Sequence, residues 1–320
     1  NDVVFNVLFA AANVLLFFLL LRMLVKRGDA HLRPREITWM LVLFGFGTAH
    51  FWCSVLGQVW FTALIVGLSF HLAFIYFAID ARRPFWAGVC LAAAFSTRAT
   101  LVFAAVFFYW QLFFSPKFGS GGQTRIRAFV LFSLPCLVVG LRLLAYNAVR
   151  FESIWTFGHT YLAGGTIPRI RDFGLFHFDF LNRNLTAAFT LTPRLLDTAP
   201  YLQFSKHGMS IFLSTPALLW LLRASANHQL VKASIATTAV IAVPLILYQN
   251  TGWEQFSYRF ILDVLPYLFL ILCLGGVRIG RWFKAAIVAS VFINLIGAST
   301  FHRAPHPKMY GHFLAEEPRR

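Results

Sequence analysis

The stretch Asn250–Pro266, NTGWEQFSYRFILDVLP, joins two long apolar runs and decides how the rest of the chain is read. It carries Trp253, Glu254, Gln255, Tyr258, Arg259 and Asp263 within a few turns. Arg259 and Asp263 are four apart, so on a helix they share a face. Both fall at the start of an apolar segment that runs on to Leu274. An ionisable residue costs roughly 2.5–3.5 kcal/mol at the centre of a membrane and less near its interface. Two readings follow. Either Arg259 and Asp263 pair with each other and only orient the helix, or Arg259 is a cationic site for a lipid phosphate.

Composition points the same way. The chain has 320 residues, 58% hydrophobic, with 37 Phe and only 12% charged, about half the charge expected of a soluble domain. Mean hydropathy is +0.68. Apolar runs near membrane-spanning length recur, each bounded by Arg, Lys, Gly or Pro. The expected fold is all-α: a single polytopic transmembrane bundle of about ten helices over residues 1–320, with short interfacial helices in one long external loop at 147–208. A membrane β-barrel would instead alternate over ~10-residue segments. The net charge of +16 does not indicate nucleic acid, because the cations sit at the ends of apolar runs, where they set topology and meet anionic headgroups. Cys53, Cys90, Cys136 and Cys273 lie in apolar runs without metal-ligand spacing and read as small buried groups.

Along the chain, Val3–Leu24 spans and ends in a basic cluster of Arg22, Lys26, Arg27, Arg33 and Arg35, marking the cytoplasmic side. Ile37–Leu56 goes out, with Gly45, Gly47 and Thr48 allowing close helix packing. Val59–Ile79 returns to the tight turn Asp80–Pro84. Phe85–Phe114 exceeds one span and is read as two short helices broken at Ser96-Thr97-Arg98 near the external face. Ser115–Arg127 is a basic cytoplasmic loop, and Ala128–Tyr146 leads out. The loop 147–208 is polar yet rich in Phe and Tyr, and its part Phe173–Leu196 has the amphipathic character of an interfacial segment. Met209–Leu222, Ala233–Tyr248, Phe260–Leu274 and Ala285–Thr300 complete the alternation, which leaves both ends of the chain external.

Chemistry is expected where polar groups meet the external face. Arg98 at the helix break, Asn147 and Arg150 at the loop opening, and Arg259 with Asp263 are the candidate groups, since Arg binds phosphate oxygens bidentately and keeps its charge. Each also has a plainer role. Arg98 can snorkel to headgroups, Arg150 can anchor at the interface, and Glu152 can pair with Arg150. Trp253 and Tyr258 either belong to an interfacial aromatic belt or stack on a sugar ring or contact an isoprenoid tail. His50 and His71 read as packing groups, and His159, His177 and His207 lack metal spacing. Asp172, Asp179 and Asp197 could each act as a general base, but near Arg171, Arg183 and Arg194 they read rather as solvated ion pairs.

These residues resemble a family. YNAVRFESIWTFGHTYL (Tyr146–Leu162), FSTRAT (Phe95–Thr100), GQVWFTA (Gly57–Ala63) and TGWEQFSYRFILDVLP are similar, in order and spacing, to segments of bacterial multi-pass glycosyltransferases of the GT-C superfamily, of the protein-mannosyltransferase and lipid A arabinosyltransferase kind. The chain departs from that pattern at Glu152, Ile154 and Ala99, where Gly, Pro and Pro are usual. The resemblance implies inverting transfer of a sugar from a polyprenyl-phosphate donor to a lipid, glycan or protein acceptor, on the outer face of the bacterial cytoplasmic membrane; the sequence itself suggests no cofactor and no bound metal, though some enzymes of this family use a metal near the first external loop. The same resemblance implies donor or acceptor contacts at Arg259, Arg98, Arg150, Asn147, Trp253, Tyr258 and Asp263. It also places the catalytic base on a carboxylate of the first external loop, which would precede Asn1. Asp2 stands nearest to it but reads as a cap of the first helix. The rival classes are a flippase for lipid-linked sugars, which needs polar groups along a path through the bilayer, and a non-catalytic scaffold.

Overall fold

The computed structural model describes residues 1–116, 118, 122–156, 158–161, 166–303 and 307–314. Thirteen α-helices follow in order: α1 Asp2–Lys26, α2 Pro34–Phe46, α3 Ala49–Ser54, α4 Val59–Ala78, α5 Pro84–Thr97, α6 Ala105–Phe114, α7 Gly122–Phe151, α8 Thr166–Phe173, α9 Leu181–Leu185, α10 Ile211–Ser214, α11 Gln229–Leu247, α12 Leu265–Leu274 and α13 Arg281–Thr300. Five segments, Asp2–Lys26, Val59–Ala81, Gly122–Phe151, Gln229–Leu247 and Arg281–Thr300, are long and apolar enough to cross a membrane. Pro84–Thr97, Ala99–Phe114 and Leu265–Leu274 are apolar but shorter.

The difference from ten spans has local causes. Ile37–Leu56 breaks at Gly47, and the Thr48 hydroxyl accepts from His50 N to start α3. Met209–Leu222 forms only α10 and a 3₁₀ stretch Pro216–Arg223, because Pro216 supplies no N–H to carry a helix through. Arg259–Asp263 is likewise a 3₁₀ turn ahead of α12. The expected break at Arg98 is present: α5 ends at Thr97, Arg98 is extended, and a 3₁₀ turn Ala99–Ala104 leads into α6. The segment read as a loop to Arg127 is helical from Gly122. Asn1, rather than Asp2, caps α1 by accepting from Val3 N at 3.0 Å. Nor is the fold purely helical. β1 Arg194–Leu195 pairs antiparallel with β2 Leu202–Ser205, which pairs parallel with β3 Tyr310–Gly311. Within Phe173–Leu196 lie a 3₁₀ turn, α9, a π turn and β1.

α4 packs between α1 and α5, α5 against α7, α11 against α6 and α12, and α13 against α2 and α3. Lipid tails are as apolar as the core, so packing and hydrogen bonds hold such helices together. Phe17 stacks on Phe44 at 4.6 Å, and both meet Phe269 edge-on at 5.2 and 5.3 Å; such pairs contribute about 0.5–1.5 kcal/mol each. The middle of the bundle is less apolar than the sequence suggested. Asn13 donates to Ile65 O at 3.0 Å and accepts from Ser69, and its amide lies 3.4 Å from His50. His71 meets the Tyr267 hydroxyl at 2.7 Å. These groups are enclosed and bond one another, the packing role expected of both histidines. By contrast α7 buries 11% of its apolar window and turns Leu137, Val138 and Leu141 outward.

The linkers gather at two ends. At one, Arg27 bridges Asp29 and Asp80, both at 2.6 Å, and Ser115 donates to Asp80 at 2.8 Å, joining the ends of α1, α4 and α6. At the other lie Arg98, Asp263, Arg259 and the end of α11.

Candidate functional site

The segment Asn250–Pro266 folds as a stitched loop, not a helix. Asn250 Oδ1 accepts from Gly252 N and Trp253 N at 3.0 and 2.8 Å, an Asx-type turn. Gln255, fully buried, then ties the loop together. Its amide donates to His207 O at 2.7 Å and Thr251 O at 2.8 Å, and its Oε1 accepts from Arg259 N at 2.9 Å. Gly252 has φ +97°, and a Cβ there would lie 2.4 Å from Gln255 Oε1. Trp52 Nε1 donates to Ser257 at 2.9 Å, pinning the loop to α3.

This geometry separates Arg259 from Asp263. Asp263 is 2% exposed and is taken by Arg98, whose Nε and Nη2 reach Oδ1 and Oδ2 at 2.8 and 2.7 Å, with Thr100 donating to Oδ2 at 2.7 Å. The pair Arg259–Asp263 is therefore not formed. Arg98, expected either to snorkel or to bind phosphate, is a bidentate partner holding the helix break to the 3₁₀ turn. Arg259 is 6% exposed, has no ion pair among the described residues, and leaves Nε without a partner. Its guanidinium lies 5.1 Å from the Phe61 ring centroid and 5.5 Å from that of Phe260, while Arg98 lies 5.1 Å from Phe260 on its own account. Burying an unpaired guanidinium costs several kcal/mol, offset only partly by aromatic faces. The position suits an anion.

A second pair of cations stands close by. Arg169 and Arg183 both donate to Gln249 O, at 3.1 and 3.4 Å. Gln249 adjoins Tyr248, whose ring lies 6.2 Å from Phe260. The Tyr258 hydroxyl is buried without a partner among the described residues. Buried polar atoms are nearly always hydrogen-bonded, so two orphans (with Arg259 Nε) on adjacent residues are unusual.

The remaining candidates lie elsewhere. Asn147 and Arg150 fall in the last turns of α7 rather than opening a loop. Arg150 bonds the Tyr146 hydroxyl at 2.6 Å and stacks over Tyr146 and Phe151, all within its own helix. It makes no ion pair with Glu152 among the described residues, and Asn147 reaches only Ile154 O, at 3.5 Å. Glu152 takes φ +56°, the left-handed position that glycine fills most easily. Trp253 is half-buried between His207 and His312, each 4.7 Å away. Asp172 pairs with Arg171 as expected, at 2.9 Å, whereas Asp179 lies against His177 and Arg194 covers the Phe313 ring. The side chain of His159 lies outside the described residues. His207 meets the Thr251 hydroxyl at 2.8 Å; burial first, then Arg183, His312 and Arg169, push its pKa down to about 4.

Sequence reasoning missed Thr100, Gln249, Arg169 and Arg183 as members of this cluster. Arg169 and Arg183 were visible as loop cations, but nothing in their spacing shows that they converge on one carbonyl 66 to 80 residues away. Comparison with known proteins adds nothing: no family model, curated protein or solved structure matches the chain.

Proposed function

We propose that this chain is a multi-pass membrane glycosyltransferase of the GT-C type, moving a sugar from a polyprenyl-phosphate donor to an acceptor at the outer face of the bacterial cytoplasmic membrane. The observation that supports this reading is Arg259: a buried guanidinium without an acid partner among the described residues, at the end of the bundle where Arg98 and the buried Tyr258 hydroxyl also sit. An acceptor hydroxyl attacks the anomeric carbon, the bond from that carbon to the phosphate oxygen breaks, and the phosphate leaves with the electron pair. Arg259 neutralises the charge gathering on the departing phosphate, where a pre-oriented cation in a dry site acts most strongly. The hydroxyl proton goes to a carboxylate base. Asp263 is unsuited to that task, because three donors already hold its oxygens. The resemblance assigns the base to a carboxylate of the first external loop. Arg259 and Tyr258 serve the donor, Arg98 and Asp263 orient the site, and Asn147 and Arg150 keep their contacts in and just after their own helix.

The test is sugar transfer in proteoliposomes by the full-length protein, using a polyprenyl-phosphate sugar donor. Arg259→Ala is expected to lower transfer by at least about a hundredfold, the loss typical of removing one transition-state contact, with membrane insertion unchanged. Unchanged transfer by this variant sinks the assignment. Translocation of a fluorescent lipid-linked sugar without any transfer would favour the flippase reading instead.

A further inference from the structure

The end of the bundle that holds Arg27 also encloses a cavity of about 470 Å³. One wall is formed by residues 29–36, the linker after α1 with the first turn of α2. The other is formed by residues 273–280, from the last turn of α12 to the start of α13. Leu32, Cys273, Leu274 and Ile279 give the cavity apolar sides, whereas His31 and Arg278 stand exposed at its mouth.

The charges of this lining do not balance. Its two carboxylates already hold cations: Asp29 accepts from Arg27 Nε at 2.6 Å, and Glu36 accepts from Arg33 Nη2 and Arg33 N, each at 2.8 Å. The side chains of His31 and Arg278 have no ion pair or hydrogen bond among the described residues. The backbone adds donors. Gly275 has φ −80° and Gly276 φ +73°, and the N–H groups of Gly276, Val277 and Arg278 find no acceptor among the described residues. Successive N–H groups in such a right-handed then left-handed turn form a concavity that suits an anion. Beyond the cavity, α13 turns Trp282, Val288, Phe292 and Leu295 outward, a surface that suits acyl chains.

We propose that this cavity holds the phosphate group of an anionic phospholipid, at the other end of the bundle from Arg259. Arg278 takes two phosphate oxygens through its forked donors, His31 and the N–H groups after Gly275 hold the others, and the acyl chains leave along α13. The site requires only that the bundle lies in a membrane, so it stands apart from sugar transfer.

Calorimetric titration of the whole protein in detergent with dihexanoyl phosphatidylglycerol tests this. Saturable binding at one equivalent is expected. Arg278→Ala is expected to weaken it by about tenfold, as for a lost charge-assisted pair, and Arg278→Lys, which keeps the charge without the fork, to recover it in part. Arg281→Ala removes a neighbouring exposed cation that does not line the cavity, and is expected to change affinity by less than about twofold. Leu274→Trp fills the cavity at unchanged charge and is expected to abolish binding, with a melting curve confirming that the variant folds; if it does not fold, the comparison of Arg278→Ala with Arg281→Ala decides alone. Equal losses in those two variants would show a diffuse surface charge and overturn the proposal. Inorganic phosphate binding as tightly as the lipid would overturn the lipid as the source of the phosphate. Dihexanoyl phosphatidylcholine binding as tightly would overturn the need for a net anionic headgroup.

Discussion

Gly252 is the residue on which the polar loop turns. Its φ of +97° and its closeness to Gln255 leave no room for a side chain. Gly252→Ala is expected to cost about 1–3 kcal/mol, the usual range for a residue held in an unfavourable backbone region, and to release Gln255 from Thr251 O and Arg259 N. A thermal melt in detergent beside the unsubstituted protein reads this; an unchanged melting temperature would show that the loop re-forms without Gln255. His207 makes the same loop sensitive to acid. Its folded pKa of about 4 lies below the ordinary 6.5, so the unfolded loop binds more protons between these values. Stability contributed by neutral His207 is therefore present above about pH 6.5 and fades as pH falls toward 4. Protection of amides across 250–259 against exchange, taken relative to the intrinsic rate at each pH, is expected to fall over that window, and His207→Gln to remove the fall. An identical profile in that variant would place the effect on another group.

Elements in this chain meet closely where side chains are smallest. A Cβ on Gly88 of α5 would lie 2.2 Å from Phe132 O of α7, and Cys136 Sγ sits 3.4 Å from Gly88 O. α7 is otherwise largely outward-facing, so its hold on the bundle depends on α5. Gly88→Ala must push the helices apart and is expected to cost about 1–3 kcal/mol, as overpacking usually does. Limited proteolysis in detergent should then cut near the start of α7 sooner, and unaltered cleavage would refute the tight approach. The sequence read Gly45 and Gly47 as packing residues, and both do face neighbours: Val14 lies 3.1 Å from a Cβ at Gly45, and Ser290 lies 3.2 Å from one at Gly47. It did not single out Gly88, because a glycine in an apolar run carries no mark of the helix it will face.

Across the whole molecule, the two ends are held by different means. The end bearing Arg27 is closed by ions, with Asp80 taking Arg27 and Ser115 while its own N–H reaches Gln111. Asp80→Asn removes the charge from these bonds and is expected to destabilise the protein by about 2 kcal/mol, the scale of hydrogen bonds to a charged group, read as a fall in melting temperature. A variant as stable as the original would mean that the three helix ends do not depend on this cluster. The end bearing Arg259 instead keeps that guanidinium without an acid partner among the described residues, and there the candidate chemistry lies. Hydropathy in the sequence by itself determined that the protein is mostly helical with several apolar segments of membrane length, because that is a property of composition along the chain, but not that Ile37–Leu56 and Met209–Leu222 break up. The break at Arg98 was legible too, since polar residues interrupt an apolar run. Only the tertiary structure decided that Asp263 belongs to Arg98 and not to Arg259, that Arg150 stays on its own helix, and that Arg169 and Arg183 meet at Gln249. Those are contacts between segments distant in sequence, and the partner of a buried charge is set by which helix ends come together rather than by its neighbours along the chain.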